Sequence, residues 1–324
     1  MPNQSVAHYK LLERIGRGAL GEVFRARDTR VGRTVALRIL ESSLMGDDTR
    51  RLALFDEARL AAQVSHPNVA TLFEAAEADG VSYFAYEFAS GALLRAEMAG
   101  RALNPRRAVE LCIQIADGLA DGHAAGILHG DVRPETIVVT GKGSAKLLDF
   151  GLWRWTRGGL VRRTAGHAPE SLPDEDGAIV QYMAPEQALG GQMDGRADVF
   201  SLGTILYEML TGRNPFTATS VPDIVMNIVR ASPVPPSSIN SAVPTELDAI
   251  TTRALAKDLE KRLQSAASFS SELRRVVPTL DSRPEERGGD YLLTVDDDAD
   301  KVPGMVWLAG LAGVAVLAAA VWWG

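Results

Sequence analysis

The chain has 324 residues, enough for one large domain or two modest ones with a proper core. An apolar fraction of 46% and a charged fraction of 23% are those of an ordinary globular protein. The net charge of −7 argues against a sequence-independent grip on nucleic acid, and a single cysteine, Cys112, excludes an internal disulfide.

The N-terminal segment is polar, and no signal peptide is expected there. Residues 9–40 carry short apolar runs, a Gly-rich turn and alternation over Thr34–Leu40, which predict strands. Residues 49–64 have helical spacing and stop before His66-Pro67. Residues 69–88 predict two or three more strands, with a turn at Ala78-Asp79-Gly80. Beyond Gly91 the period becomes helical. Pro105 to Ala125 is the strongest helix, with proline at its start and Gly126 just past its end. Ile137–Val139 and Lys146–Leu148 predict a small hairpin. Residues 152–181 read as an irregular loop, and helices follow at about 198–211, 221–230, 245–256 and 265–276. Strands first and helices after make an α+β plan with two lobes. Residues 279–303 are polar and acidic, with Asp296, Asp297, Asp298 and Asp300, and read as a linker.

From Met305 to Trp323 no residue is charged. At about 1.5 Å per residue that run reaches about 28 Å, close to the hydrocarbon thickness of a bilayer. Trp307, Trp322 and Trp323 sit near its ends, where indoles favour the interface. A single transmembrane helix is expected over 304–324, with membrane contact through 305–323. Ala309 and Gly313 are spaced to seat a helix dimer.

Several motifs carry chemistry. Gly16-Arg17-Gly18-Ala19-Leu20-Gly21 lies between strand-like runs rather than before a helix, which argues against a dinucleotide fingerprint. Val35-Ala36-Leu37-Arg38 follows, then Glu57 in the first helix. His129-Gly130-Asp131-Val132-Arg133-Pro134-Glu135-Thr136 comes next, then Asp149-Phe150-Gly151, Tyr182-Met183-Ala184-Pro185-Glu186, Asp198-Val199-Phe200-Ser201-Leu202-Gly203 and Arg262. In this order and spacing the set resembles the protein kinase family across about residues 9–277, and most closely the bacterial (Hanks-type) Ser/Thr kinases.

The resemblance implies a two-lobed protein-kinase-like fold, a small β-rich N-lobe (1–88) and a larger helical C-lobe (89–278), ahead of the polar linker (279–303) and the transmembrane helix (304–324) read from composition. It implies ATP and Mg²⁺ as cofactors and a protein substrate or signalling partner. Gly16, Gly18 and Gly21 would cover the phosphates. Val23 and Ala36 would roof the adenine, and Val138 would form part of its floor. The hinge at Glu87-Phe88-Ala89 would bond the adenine edge through its backbone, and Tyr86 would narrow the back pocket. Asp131 matches the base that takes the substrate hydroxyl proton, and Asp149 the metal-binding carboxylate. Glu186 and Arg262 match a buried ion pair, and Asp198 the anchor of the catalytic loop. A second Ala-Pro-Glu, at 168–170, is discounted in favour of the one ending at Glu186.

The departures from the family pattern fall on catalytic groups. Arg38 stands where the family has the lysine that pairs with the helix glutamate, and it can still pair with Glu57. The chain carries 28 Arg and 6 Lys among its 34 basic residues, so the exchange also fits a general bias. Thr136 replaces the asparagine that holds a second metal ion, and its hydroxyl is the expected ligand there. Arg133 replaces a lysine that touches the transferred phosphate. Ala178-Ile179 replace Gly-Thr, and Gly130 replaces the arginine before the catalytic aspartate. A misplaced catalytic group costs about a hundredfold or more, so turnover well below ordinary kinase rates of about 1–100 s⁻¹ is expected. Three functions stay open. They are an ATP-binding kinase-like signalling protein with impaired transfer (pseudokinase-like), an active kinase that tolerates Arg38 and Thr136, and a nucleotide-independent membrane scaffold. An ATP-dependent domain places residues 1–303 in the cytoplasm, on a single-pass protein of the inner (cytoplasmic) membrane.

Overall fold

A computed structural model describes residues 5–18, 20–42, 46–156 and 174–282. The expected transmembrane helix, its Ala309/Gly313 pair and nearly all of the acidic linker lie outside the described residues. So does the second Ala-Pro-Glu.

The chain begins with strands β1 (Ser5–Val6), β2 (Tyr9–Gly18), β3 (Gly21–Asp28) and β4 (Thr34–Leu40), then helix α1 (Asp48–Ala61). Strands β5 (Leu72–Ala78) and β6 (Val81–Glu87) complete an antiparallel sheet in the order β1-β2-β3-β4-β6-β5. The alternation read from Thr34–Leu40 is real: Val35 and Leu37 face one core cluster, while Ala36 and Leu40 face another. The second cluster, with Leu54, Phe55, Leu72 and Phe84, fills the space between sheet and α1. Helix α1 starts where Asp47 accepts a hydrogen bond from the Thr49 N–H at 2.9 Å, an N-cap.

Past β6 come β7 (Gly91–Leu93), α2 (Leu94–Met98) and the long α3 (Pro105–Ala124), capped by Asn104 with proline at its first position. Strands β8 (Ile137–Thr140) and β9 (Ala145–Leu147) form the expected hairpin and join β7 in a three-stranded sheet. The remaining helices are α4 (Asp174–Val180), α5 (Pro185–Ala188), α6 (Gly195–Thr211), α7 (Val221–Arg230), α8 (Thr245–Ala254) and α9 (Ala266–Ser282). Helix α6 is buried along its whole length from Ala197 to Thr211 and packs with α3, α8 and α9 around one large core. The order is two-lobed, with a β-rich lobe followed by a helical one.

Two segments differ from expectation. The loop over 152–181 is helical at 153–156 and again in α4. The first of these turns forms because Leu152 and Trp155, three apart, share one face and pack against the cluster under α1. Helix α9 also runs farther than its apolar period suggested, continuing through Pro278 to Ser282.

Candidate active site

The Gly-rich turn joins β2 to β3, where Gly18 pairs with Gly21. Gly21 has φ +137°, and a Cβ there would stand 1.9 Å from the Ile39 carbonyl oxygen, so only glycine fits against β4. Among the described residues nothing stands within 4 Å of where a Cβ would stand at Gly16 or Gly18. Val23 and Ala36 lie on the adjoining strands β3 and β4, and Val138 lies on β8. The hinge follows β6. Glu87 donates its N–H to the Thr71 carbonyl at 2.8 Å and pairs through its side chain with Lys146 at 2.7 Å. Among the described residues the Ala89 N–H finds no backbone acceptor. Tyr86 is buried beside Ala36 in the β4–β6 ladder, and its hydroxyl has no partner among the described residues.

Arg38 does not pair with Glu57. Its guanidinium grips Asp149 with both ends, Nη1 to Oδ1 at 2.7 Å and Nη2 to Oδ2 at 2.8 Å. Burial works against the arginine's charge, but the Asp149 carboxylate outweighs it and holds the guanidinium above its ordinary range. A planar fork takes both oxygens of one carboxylate edge to edge, and Asp149 is the carboxylate available to it, since Glu57 is engaged by Arg154 and Trp155. Asp149 sits in the left-handed region at φ +56°, a conformation aspartate tolerates better than most residues.

Glu57 is taken by the segment after Gly151. Arg154 binds one oxygen at 2.8 Å and the Trp155 indole N–H donates to the other at 2.7 Å. Neither partner is announced by a motif. A tryptophan four residues after Gly151 offers an apolar body and one donor, and that is the available signal in the sequence.

The catalytic loop is tightly braced. Asp198, nearly fully buried, accepts from the His129 N–H at 2.9 Å and the Gly130 N–H at 2.8 Å, and contacts His123 Nε2 at 2.7 Å. Burial opposes its charge, yet these contacts prevail and hold its carboxyl below the usual carboxylate range. The expected anchor is therefore in place. His129 receives the Asp131 N–H on Nδ1 at 3.1 Å, which leaves Nε2–H to reach the Leu148 carbonyl at 3.0 Å. Burial pushes this imidazole down, against the pull of Asp198, Asp131 and Asp149. Gly130, at φ +68°, lies under Trp153, whose ring would stand 2.3 Å from an added Cβ. The Asp131 carboxylate accepts from Arg133 Nε at 3.1 Å and from the Thr156 hydroxyl at 3.2 Å. Arg133 also binds Glu135 at 3.1 Å.

Thr136 corrects a second expectation. Its hydroxyl accepts from the Arg133 N–H at 3.2 Å and lies within 2.8 Å of the Asp131 carbonyl and 2.9 Å of the Arg133 carbonyl. It is 3% exposed and braces the loop instead of facing the cleft. Ile179 packs into the C-lobe cluster that holds Met183 and Phe216. Glu186 and Arg262 form the expected bidentate pair, at 2.7 and 3.1 Å, with the arginine side chain fully buried. A further network carries no motif of its own: Arg95 bridges Glu135, Glu208 and Tyr182, and the Tyr182 hydroxyl donates to Glu208 at 2.5 Å.

This cleft between a Gly-rich sheet and a braced His-Gly-Asp loop is that of a protein kinase. The family model for the protein kinase domain matches residues 9–273, and the chain belongs to that family. It is 35% identical over 282 residues to serine/threonine-protein kinase PknB of Mycobacterium tuberculosis, covering 85% of this chain and 44% of that protein. It is also 35% identical over 290 residues to a probable serine/threonine-protein kinase, SCO3848, of Streptomyces coelicolor, covering 87% and 41%. The chain thus spans less than half the length of these relatives. A crystal structure of a mutant PknI kinase domain from M. tuberculosis is similar at a TM-score of 0.63 and 25% identity, covering 84% of this chain and 96% of that one.

The family in general uses ATP and Mg²⁺. The donor set for the cation does not fit in this arrangement. Both Asp149 oxygens are occupied by Arg38, and the Thr136 hydroxyl is turned into the loop backbone. Among the described residues no cluster of three or more His, Cys, Asp or Glu is placed to hold a metal ion.

Proposed function

We propose that this chain is a Ser/Thr protein-kinase-like signalling protein that binds ATP, transfers phosphate poorly, and is tethered to a membrane through residues 305–323. The observation that carries the impaired transfer is the Arg38–Asp149 pair, bidentate at 2.7 and 2.8 Å while Glu57 is held elsewhere. Nucleotide binding is supported by Gly16 and Gly18, where no described residue stands within 4 Å of a Cβ position, and by the Ala89 N–H at the hinge, which no backbone acceptor among the described residues engages. The tether is supported by nineteen consecutive uncharged residues, long enough to span a bilayer.

The test is transfer of labelled phosphate from Mg-ATP to the full chain itself and to a generic protein acceptor, with Asp149→Asn as control. Wild type is expected at the level of the control. Robust transfer that vanishes in the control would overturn impairment. For the tether, the full chain is expected in the membrane fraction, with residues 1–303 open to protease from the cytoplasmic side. Protection of the N-terminal domain on that side would reverse the orientation.

One observation favours an active kinase instead. The Thr156 hydroxyl rests 3.2 Å from the Asp131 carboxylate, where an acceptor hydroxyl would give up its proton. On this reading Arg38 leaves Asp149 when nucleotide arrives, and phosphate would appear on Thr156 in a reaction whose rate per molecule does not depend on protein concentration.

A further inference from the structure

We infer that the cleft takes a nucleoside triphosphate without a divalent cation, because Arg38 supplies at Asp149 the positive charge that a metal ion would bring. The inference rests on the nucleotide-binding reading above and adds to it the ionic form of the ligand.

Four observations converge on it. The carboxylate that the family uses for metal is neutralised on both oxygens by one buried guanidinium, which stays charged at any working pH. The second ligand position is also spent, since the Thr136 hydroxyl serves the catalytic loop backbone. A cation entering at Asp149 would compete with Arg38 for both oxygens, and a displaced Arg38 would lose its one carboxylate partner among the described residues. Its family partner Glu57 is already held by Arg154 and Trp155, and leaving the guanidinium buried and unpaired is strongly unfavourable. Lastly, Arg38 retains capacity for an anion. Its Nε is buried with no hydrogen-bond partner among the described residues. An orphaned donor on a cation, on the strand that pairs with β3 just past the Gly-rich turn, suits a phosphate oxygen. The same arginine would then bridge Asp149 and the polyphosphate. In the ordinary arrangement a lysine and a metal ion divide that work.

The experiment is calorimetric titration of the full chain with ATP, once in excess EDTA and once in excess Mg²⁺. The two dissociation constants are expected to agree within about threefold, a difference below one decade of binding constant. A tightening by Mg²⁺ beyond that limit would overturn the inference and leave the nucleotide-binding reading standing. No binding in either arm would overturn both. An Arg38→Lys variant is the companion measurement. Lysine cannot hold both Asp149 oxygens, so its ATP affinity is expected to become dependent on Mg²⁺ by about tenfold or more. If the folded variant binds as indifferently to Mg²⁺ as wild type, Arg38 is not the cause and the inference fails.

Discussion

The Trp155 indole nitrogen donates to the Glu57 carboxylate at 2.7 Å, which ties the segment after Gly151 to helix α1. The tie predicts an energetic signature. A double-mutant cycle combining Glu57→Ala with Trp155→Phe should show a coupling of about 1 kcal/mol, as expected for a partly buried charge-assisted bond. The parallel cycle of Glu57→Ala with Arg38→Met should show less than about 0.5 kcal/mol, because those side chains share no contact. Urea unfolding followed by circular dichroism measures both cycles. The reverse ordering would mean that Glu57 belongs to Arg38.

Gly130 and Trp153 make a second prediction. Alanine at 130 meets two separate penalties: a left-handed backbone at φ +68° and a ring that would stand 2.3 Å from its Cβ. The backbone penalty alone is about 1–2 kcal/mol. Gly130→Ala should therefore destabilise by more than that. Adding Trp153→Ala should relieve only the ring's share of the clash, because the Trp153 Cβ, 2.7 Å from the added Cβ, remains. A melting series over the two single variants and the double variant separates the contributions.

The ion pair of Arg262 with Glu186 is the third. The arginine side chain is fully buried, so Glu186→Leu alone would strand a charge at a cost of about 3–5 kcal/mol. The double variant Arg262→Met with Glu186→Leu should lose less than Glu186→Leu alone, despite removing more polar groups. Denaturant midpoints at fixed m-value check the order.

Lys257 gives a pH dependence. Its ammonium lies 4.2 Å from the Phe216 ring centroid and 4.9 Å from that of Phe200, with no hydrogen-bond partner among the described residues. Burial, with Arg262 adding to it, pushes its pKa down to about 8. The unfolded chain holds that proton up to about pH 10.4. Between those values the unfolded state binds more protons, so this lysine makes stability rise with pH across about 8 to 10.4. Buried tyrosines act with the opposite sign in the upper part of that window, since burial raises their pKa. The clean readout is the difference from Lys257→Met. Wild type should gain on the variant as pH climbs from about 8 to about 10, and a flat difference would contradict the burial effect.

Much of the site is legible in the chain itself. Asp198 reaches the loop amides and Glu186 finds Arg262 because motif order fixes which elements must meet, and Val23, Ala36 and Val138 lie on β3, β4 and β8. The pairing of Arg38 is not legible. Two carboxylates compete for it, and the winner depends on where Glu57 is pulled by residues 154 and 155. That pull depends in turn on Leu152 and Trp155 packing under α1, a tertiary contact with no period long enough to show in sequence. Thr136 misleads for a related cause. A hydroxyl advertises metal-ligand chemistry equally well whether it faces a cleft or its own backbone.

The three glycines of the β2–β3 turn answer to different masters. Gly21 is forced by the Ile39 carbonyl 1.9 Å from its absent Cβ, so it would survive in a descendant that had ceased to bind any nucleotide. Gly16 and Gly18 have no such neighbour among the described residues and would be free to drift in a chain where no phosphate needs the space. Erosion of this motif should therefore proceed in a fixed order. The first two glycines are the ones whose persistence testifies to a ligand.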